Sequence, residues 1–197
     1  MKKIVKPAIA LTAICLVCVV ALAITNSLTK PKITALSEAQ RTSAMLELLP
    51  AASSFDGAAE RTIETDGGTA PITFFCARDA KGELIGYVFI TSAAGYGGDI
   101  SVMTAADTGA KVLGVKILEI SETPGLGMRA QEAGFLGQFI GKLAGISVTK
   151  DGADTKQIQA ITGATITSNA VTQAVNNALQ AAGDEFLLAD DGADLTG

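Results

Sequence analysis

The chain has 197 residues, of which 48% are hydrophobic, and carries 15 basic and 20 acidic side chains for a net charge of −5. This length allows one domain with appendages. The sequence contains no histidine, which excludes Ser-His-Asp and Cys-His catalysis and histidine-containing metal sites. Its three cysteines are too few for a disulfide framework. We therefore predict neither a catalytic residue nor a metal site.

The N-terminal segment is predicted to be a single-pass membrane anchor. The run Pro7–Ile24 has no charge and would be about 27 Å long as a helix, just enough to span a bilayer core. Lys2, Lys3 and Lys6 precede this run, so the positive-inside rule predicts a cytoplasmic N-terminus and an extracytoplasmic domain. A cleaved signal peptide is the alternative, because residues 21–23 resemble a cleavage site.

The part of the chain beyond the anchor is acidic. Three of the fifteen basic residues precede the uncharged run, which leaves twelve basic against twenty acidic residues and a net charge of −8. A domain with this charge is a poor partner for nucleic acid, which we exclude as a ligand. Residues 184–197 are predicted to be a solvated acidic tail.

A linker with one short helix is predicted between the anchor and the domain. Residues 27–32 form a polar link after the membrane segment. Ser37 and Gln40 have the spacing of a capping box, which predicts a helix that ends before Pro50. Residues 51–69 are small and polar, so we predict loop or weak structure there.

Four β-like runs follow, separated by short turns. The turn signals at 79–82 and 107–109 leave hairpin-sized gaps, which favour an antiparallel sheet over βαβ units. The predicted strands are Ile72–Arg78, Glu83–Thr91, Ile100–Ala105 and Lys111–Ile120; a short helix at Phe135–Gly141 and a strand at Ile146–Thr149 follow. The fold class is thus α+β, with a mainly antiparallel twisted sheet flanked by helices. The predicted divisions are 1–26 (anchor), 27–70 (linker and short helix), 71–183 (domain) and 184–197 (tail).

The last long helix is predicted over Ser168–Ala182. Its apolar residues recur with a period of 3.6 residues over three turns. Thr167 or Ser168 is a natural N-cap, and Gly183 stands where a C′ glycine belongs. The amino end of such a helix offers unpaired N–H groups and a partial positive charge, so it can hold a phosphate.

The turn Thr162-Gly163-Ala164-Thr165 comes directly before this helix. Gly163 and Ala164 have almost no side chain, so a bulky group can approach the backbone there. The Thr165 hydroxyl beside a helix terminus suits a phosphate ester. Because a threonine hydroxyl is neutral and the chain has no histidine to activate it, another enzyme would have to form that ester. An ordinary turn before a capped helix is the alternative.

Two other segments are rich in glycine. Residues 95–98, with Tyr96 among three glycines, lack the strand-to-helix context of a dinucleotide fingerprint, and we interpret them as a sharp bend or a close backbone approach. Tyr96 suits either ring stacking or the core. Residues 123–127 contain a Pro-Gly turn signal, for which a plain loop is the simplest interpretation. Leu126 between two glycines would also suit the face of a flat ring.

These segments together resemble the FMN-binding domains that occur in the G subunit of the Rnf complex and in the C subunit of the sodium-pumping NADH:quinone reductase. Residues 162–169 are similar to the flavinylation motif of that family. Residues 119–127 are similar to its Glu-Thr-Pro-Gly-Leu-Gly loop, and 95–98 to its Gly-Tyr-x-Gly segment. One anchor and one domain, at this length, resemble the Rnf protein more than the longer reductase protein.

The resemblance implies FMN joined by its phosphate to Thr165 by a flavin transferase that uses FAD. It implies an electron-transfer subunit, without catalysis of its own, in a membrane complex that couples ferredoxin and NAD oxidoreduction to ion movement. Gln159 departs from the family pattern, which commonly has an acid at that position. The other predicted FMN-binding residues are Tyr96, Thr123, Pro124, Gly125, Leu126, Gly127, Thr162, Gly163, Ala164, Thr167 and Ser168. The alternatives are an anchored module that binds FMN reversibly or only scaffolds its neighbours, and the C subunit of the reductase.

Overall fold

A computed structural model describes residues 2–65, 68–152 and 154–183. The predicted acidic tail, 184–197, lies outside the described residues. The chain forms two compact units that divide between Ser43 and Ala44. Helix α1, Lys2–Leu48, runs through this division, so only its last turn belongs to the second unit.

Helix α1 is continuous, and two predictions for this region are therefore wrong. The polar link at 27–32 is helical, and Ser37 does not begin a new helix. A threonine inside a helix can hydrogen-bond to the carbonyl four residues earlier, and two threonines do so on either side of residues 27–37. The Thr25 hydroxyl donates to the Ala21 carbonyl at 2.9 Å, and Thr42 donates to Glu38 at 3.0 Å. The predicted end of the helix before Pro50 is confirmed.

The prediction of a membrane anchor is not confirmed. Within the part of the chain that the structure describes, no helix holds an apolar stretch of the length that crossing a membrane requires. The side chains of residues 2–10, where the uncharged run begins, lie outside that part.

A five-stranded antiparallel sheet forms the body of the second unit. Its strands follow one another in chain order as β1 Ser54–Thr65, β2 Gly68–Arg78, β3 Leu84–Ala94, β4 Asp99–Ala106 and β5 Val112–Glu119. The four predicted strands and the antiparallel arrangement are confirmed. The prediction of loop over the residues of β1 is wrong, because pairing with β2 supplies the backbone hydrogen bonds that its mostly small and polar sequence does not indicate.

Both predicted turns between strands are confirmed, and an aspartate side chain stabilises each of them in the same way. Asp79 Oδ1 accepts hydrogen bonds from the N–H groups of Lys81 and Glu83 at 2.8 and 2.9 Å. Asp107 Oδ1 accepts from Gly109 and Lys111, both at 2.9 Å. An aspartate that binds the backbone two and four residues ahead folds the chain back locally. These turns set the registers of the β2–β3 and β4–β5 hairpins.

The sheet separates two hydrophobic cores, because alternate residues of a strand point to opposite faces. On one face, Met45 in the last turn of α1 and Leu49, which follows the helix, pack in one cluster with residues such as Met103. On the other face lies α3, Thr165–Gly183, which covers β3 and β4 and buries neighbours such as Val102. The site described below lies on the α3 side.

Short elements connect β5 to α3. Two 3-10 turns, Gly127–Gln131 and Gly137–Phe139, flank the four-residue helix α2, Ala133–Leu136, in place of the single short helix that the sequence predicts. Strands β6, Ser147–Thr149, and β7, Gln157–Gln159, form a small parallel pair. The Gln138 side chain accepts a hydrogen bond from the Gln159 N–H at 2.6 Å. This contact fixes the strand that leads into residues 162–165.

Candidate functional site

Helix α3 begins three residues earlier than predicted. Its first helical residue is Thr165, so neither Thr167 nor Ser168 caps it from outside. Ser168 instead closes the turn from within the helix. Its hydroxyl donates to the Ala164 carbonyl at 2.9 Å and accepts from the Ile161 N–H at 3.0 Å. A buried serine that holds two backbone groups before the helix resembles an N-cap in sequence, which explains the wrong assignment.

The turn before α3 depends on one special backbone angle. Gly163 has φ of +81°, a left-handed conformation that glycine adopts without strain. The Ala164 N–H donates to the Ile161 carbonyl at 2.9 Å and so tightens the turn. The N–H groups of the first turn of a helix have no partner within the helix. Thr165 therefore stands half-buried at the positive end of α3.

A pocket of about 520 Å³ opens at this end of the helix. Three segments contribute to its walls: the glycine-rich turn after β3, the loop after β5, and the start of α3. The lining residues are Tyr96, Glu122, Thr123, Leu126, Gly127, Gly163, Ala164, Thr165, Ile166 and Thr167. This volume is within the range of cofactor sites in proteins.

The pocket brings together most of the residues that the sequence predicts to bind a cofactor. Tyr96, Thr123, Leu126, Gly127, Gly163, Ala164, Thr165 and Thr167 line it, whereas Thr162, Pro124, Gly125 and Ser168 do not. Glu122 and Ile166 line the pocket and are absent from the prediction. Gln159, where the family resemblance leads one to expect an acid, is exposed on β7 and is not part of the lining.

The loop after β5 brings an apolar side chain over the turn before α3. The Thr123 carbonyl accepts hydrogen bonds from the N–H groups of Leu126 and Met128, both at 3.2 Å. Gly125, with φ of +78°, makes the bend between them possible. Leu126 is 44% exposed, and a Cβ added to Gly163 would lie 3.1 Å from its Cδ2 atom. Leu126 and Gly163 thus form one wall of the pocket.

Glu122 joins the two glycine-rich segments. Its side-chain oxygen Oε1 accepts a hydrogen bond from the Tyr96 N–H at 2.7 Å. A Cβ at Gly95 would lie 2.5 Å from that oxygen, and a Cβ at Gly127 would lie 2.7 Å from Oε2. Glycine at both positions leaves space for the carboxylate. A Cβ at Gly97 would overlap the Ser121 carbonyl oxygen, so the close backbone approach that the sequence predicts is present here.

The lining combines three chemical features. Threonine hydroxyls and the first N–H groups of α3 can bind a phosphate at one end. Exposed apolar surface from Tyr96, Leu126 and Ile166 suits a flat ring. Among the residues that line the pocket, Glu122 alone is charged, and no lysine or arginine is present. The geometry therefore fits a phosphate-bearing aromatic ligand such as FMN.

Comparison with known proteins agrees with this geometry. Residues 95–180 match the family model of the FMN-binding domain, and residues 1–48 match that of the RnfG N-terminal region. The G subunit of the ion-translocating oxidoreductase complex of Methanosarcina acetivorans is 32% identical over 180 residues, which cover 90% of this chain and 94% of that protein. This chain belongs to the RnfG family.

Another relative supports the assignment to the RnfG family, and a solved structure supports the fold. The G subunit of the proton-translocating ferredoxin:NAD(+) oxidoreductase complex of Clostridium ljungdahlii is 46% identical over 97 residues, which cover 49% of this chain and 52% of that protein. The crystal structure of NqrC from Shewanella oneidensis superimposes with a TM-score of 0.51 at 23% identity, over 68% of this chain and 73% of that chain. The latter shows that the two proteins share a fold.

Proposed function

We propose that this chain is an electron-transfer subunit of an Rnf-type ion-translocating oxidoreductase and carries FMN on Thr165 through a phosphoester. The observation that carries the proposal is the position of the Thr165 hydroxyl. It lies at the amino end of α3, on the wall of a pocket that fits FMN, beside a glycine turn that leaves the backbone open. When bound, FMN supplies the redox chemistry.

The chain's own residues would bind and orient the cofactor. The first N–H groups of α3 would receive the phosphate, and its bond to Thr165 would remove the dissociation equilibrium. Leu126, Tyr96 and Ile166 would cover the ring, because their apolar surface is exposed at the pocket. A flavin transferase would attach FMN to the threonine oxygen and release AMP from FAD, since a threonine hydroxyl is neutral and the chain has no histidine to activate it.

Intact mass spectrometry tests the attachment. The full chain is co-produced with a flavin transferase, denatured and weighed, with in-gel flavin fluorescence as a second readout. We expect the wild-type mass to increase by one FMN less one water, and Thr165→Ala to abolish the increase. Thr108→Ala is the matched control, because Thr108 is exposed in the turn between β4 and β5, outside both the pocket and the segment 162–165, and its loss should leave the modification intact. An unmodified wild-type chain contradicts the phosphoester.

Reversible FMN binding is the second candidate function, and the same lining supports it. Thr165→Ala distinguishes the two functions under native conditions. If FMN co-purifies with wild type and with Thr165→Ala to the same extent, and neither chain is fluorescent after denaturation, the site binds FMN without a covalent bond.

The protein is also proposed to sit at the cell membrane, with the domain outside the cytoplasm and the other subunits of the complex as its partners. The uncharged run Pro7–Ile24 and the three lysines before it support this arrangement. The names of the relatives, which are subunits of complexes, support the partnership. A C-terminal tag should be accessible to a membrane-impermeant label in intact spheroplasts. Labelling only after lysis would reverse the proposed orientation.

A further inference from the structure

A single charge stands in the wall of the pocket. Glu122 is only 8% exposed, and the other lining residues are neutral. Burying a carboxylate costs free energy unless hydrogen bonds or a cation compensate it. No cation lines the pocket, and the hydrogen bond that the structure gives Glu122 comes from the Tyr96 N–H. No cationic side chain of the lining therefore compensates this negative charge.

The carboxylate is also held in place. Oε1 is fixed by the Tyr96 N–H, and the two oxygens lie against the Cα positions of Gly95 and Gly127. Glycines that leave just enough space for a side chain restrict its movement. A glutamine of the same shape would accept the Tyr96 hydrogen bond without the cost of burying a charge. The anchoring role alone therefore does not require an ionised group.

A fixed negative charge makes it less favourable to add a second negative charge to the same pocket. Reduction of FMN by two electrons with uptake of one proton leaves the ring with one additional negative charge. Like charges repel more strongly in a partly buried site than in water, and salt screens them less there. Glu122 would thus oppose the reduction of a ring bound in the same pocket.

We propose that Glu122 is a positioning residue that lowers the reduction potential of the bound flavin. The inference rests on the proposed function, because it requires FMN in the pocket. It assigns to Glu122 two effects that can be separated: the hydrogen bond organises the two glycine-rich segments, and the charge sets the potential.

Spectroelectrochemical titration of the full-length flavinylated protein tests this proposal. Glu122→Gln keeps an acceptor oxygen for the Tyr96 N–H and removes the charge. At the wild-type midpoint, where the wild type has equal amounts of reduced and oxidised flavin, we expect the variant to have a ratio of reduced to oxidised flavin of at least about ten, a shift of about 30 mV upward for a two-electron couple. Glu132→Gln is the matched control, since Glu132 is exposed, pairs with Arg129 and does not line the pocket. Its midpoint should equal that of wild type.

Two further variants keep the test informative if Glu122→Gln does not fold. Glu122→Asp keeps the charge, so its midpoint should stay near that of wild type. Glu122→Met removes the charge with little change in volume, a replacement that buried charges often tolerate, and it should shift the midpoint upward if Glu122→Gln does not fold. Equal midpoints in wild type and the neutral variants, with flavin attached to each, overturn the role of Glu122 and leave the phosphoester standing. A wild-type chain without attached flavin overturns the proposed function itself.

Discussion

The first turn of α3, Thr165–Ser168, and the middle of the same helix are held in different ways. In the middle, 170–179, alanine, valine and leucine side chains on one side of the helix are buried against β3 and β4. The first turn is held by backbone groups outside the helix and borders the pocket, where Leu126 lies over Gly163. The apolar middle thus supplies stability, whereas the polar first turn supplies geometry for the site. Substitutions should separate the two contributions.

The largest loss of stability is expected in the middle of the helix. Leu179 is 1% exposed in the core, so Leu179→Ala should lower the free energy of unfolding by about 2–5 kcal/mol, because it removes buried surface and leaves a cavity. Denaturant unfolding of the full chain measures the loss. Gln173→Ala, on the exposed side of the same helix, is the control and should change the value by less than about 0.5 kcal/mol. Similar values for both variants contradict the role of this core.

A smaller loss is expected in the first turn. Ser168→Ala removes the hydroxyl that binds Ala164 and Ile161, and it leaves the Ile161 N–H without that partner at a cost of about 1–3 kcal/mol. The variant should also reduce flavin attachment, because the turn carrying Thr165 loses its closure; intact mass measures this.

Thr172→Val is the control for Ser168→Ala. The Thr172 hydroxyl donates to the Ser168 carbonyl within the same helix, at 2.8 Å, and does not reach the turn. Its loss should leave flavin attachment unchanged. Equal attachment in Ser168→Ala and wild type would show that the turn keeps its shape without the serine.

One polar contact ties the middle of α3 to the sheet. The Thr91 hydroxyl, 3% exposed, donates to the Ala174 carbonyl at 2.8 Å. Thr91→Val keeps the shape of the side chain and removes this hydrogen bond, so the free energy of unfolding should fall by about 1 kcal/mol. Thermal unfolding measures the change, and an unchanged midpoint would mean that the carbonyl does not need this donor.

The smallest expected effect is a gain, not a loss, in the free energy of unfolding. Thr104, 0% exposed, lies on the next strand opposite Phe89 and Val115, and within the described residues its hydroxyl has no hydrogen-bond partner. Thr104→Val should raise the free energy of unfolding by up to about 1 kcal/mol, because an unpaired buried hydroxyl is costly. Together with Thr91→Val, it compares a paired with an unpaired threonine in one sheet. Destabilisation by Thr104→Val would show that its hydroxyl is paired in solution.

The contrast between the apolar middle of α3 and its first turn at the pocket also explains which features the sequence could predict. The apolar positions of α3, from Val171 to Leu179, repeat with the helical period and are buried as that pattern indicates. The aspartate turns at 79 and 107 act within five residues of chain, so local reasoning found both hairpins. In the pocket, the glycine turn and the Thr123–Gly127 loop were found from their unusual composition and their resemblance to a family.

What was missed depends on contacts between distant residues. Strand β1 has a weak strand pattern and is stabilised by β2. A serine at the predicted start of a helix suggests an N-cap. Ser168 instead lies within the helix and accepts a hydrogen bond from Ile161, seven residues earlier, which the local sequence does not indicate. Glu122 bonds to Tyr96 across 26 residues, and an acid in a turn motif is usually exposed to solvent. The missed residues are those whose role exists only in the folded chain.

The segments that form the pocket walls are far apart in the sequence, and this has a consequence for biosynthesis. A nascent chain that ends before residue 165 lacks Thr165, the proposed attachment site, and an unfolded full-length chain has this threonine but no cavity around it. An attaching enzyme that reads only the linear segment 162–165 would modify both folded and unfolded chains. An enzyme that reads the assembled cavity would load only finished domains, and the flavin would then mark chains that have folded correctly.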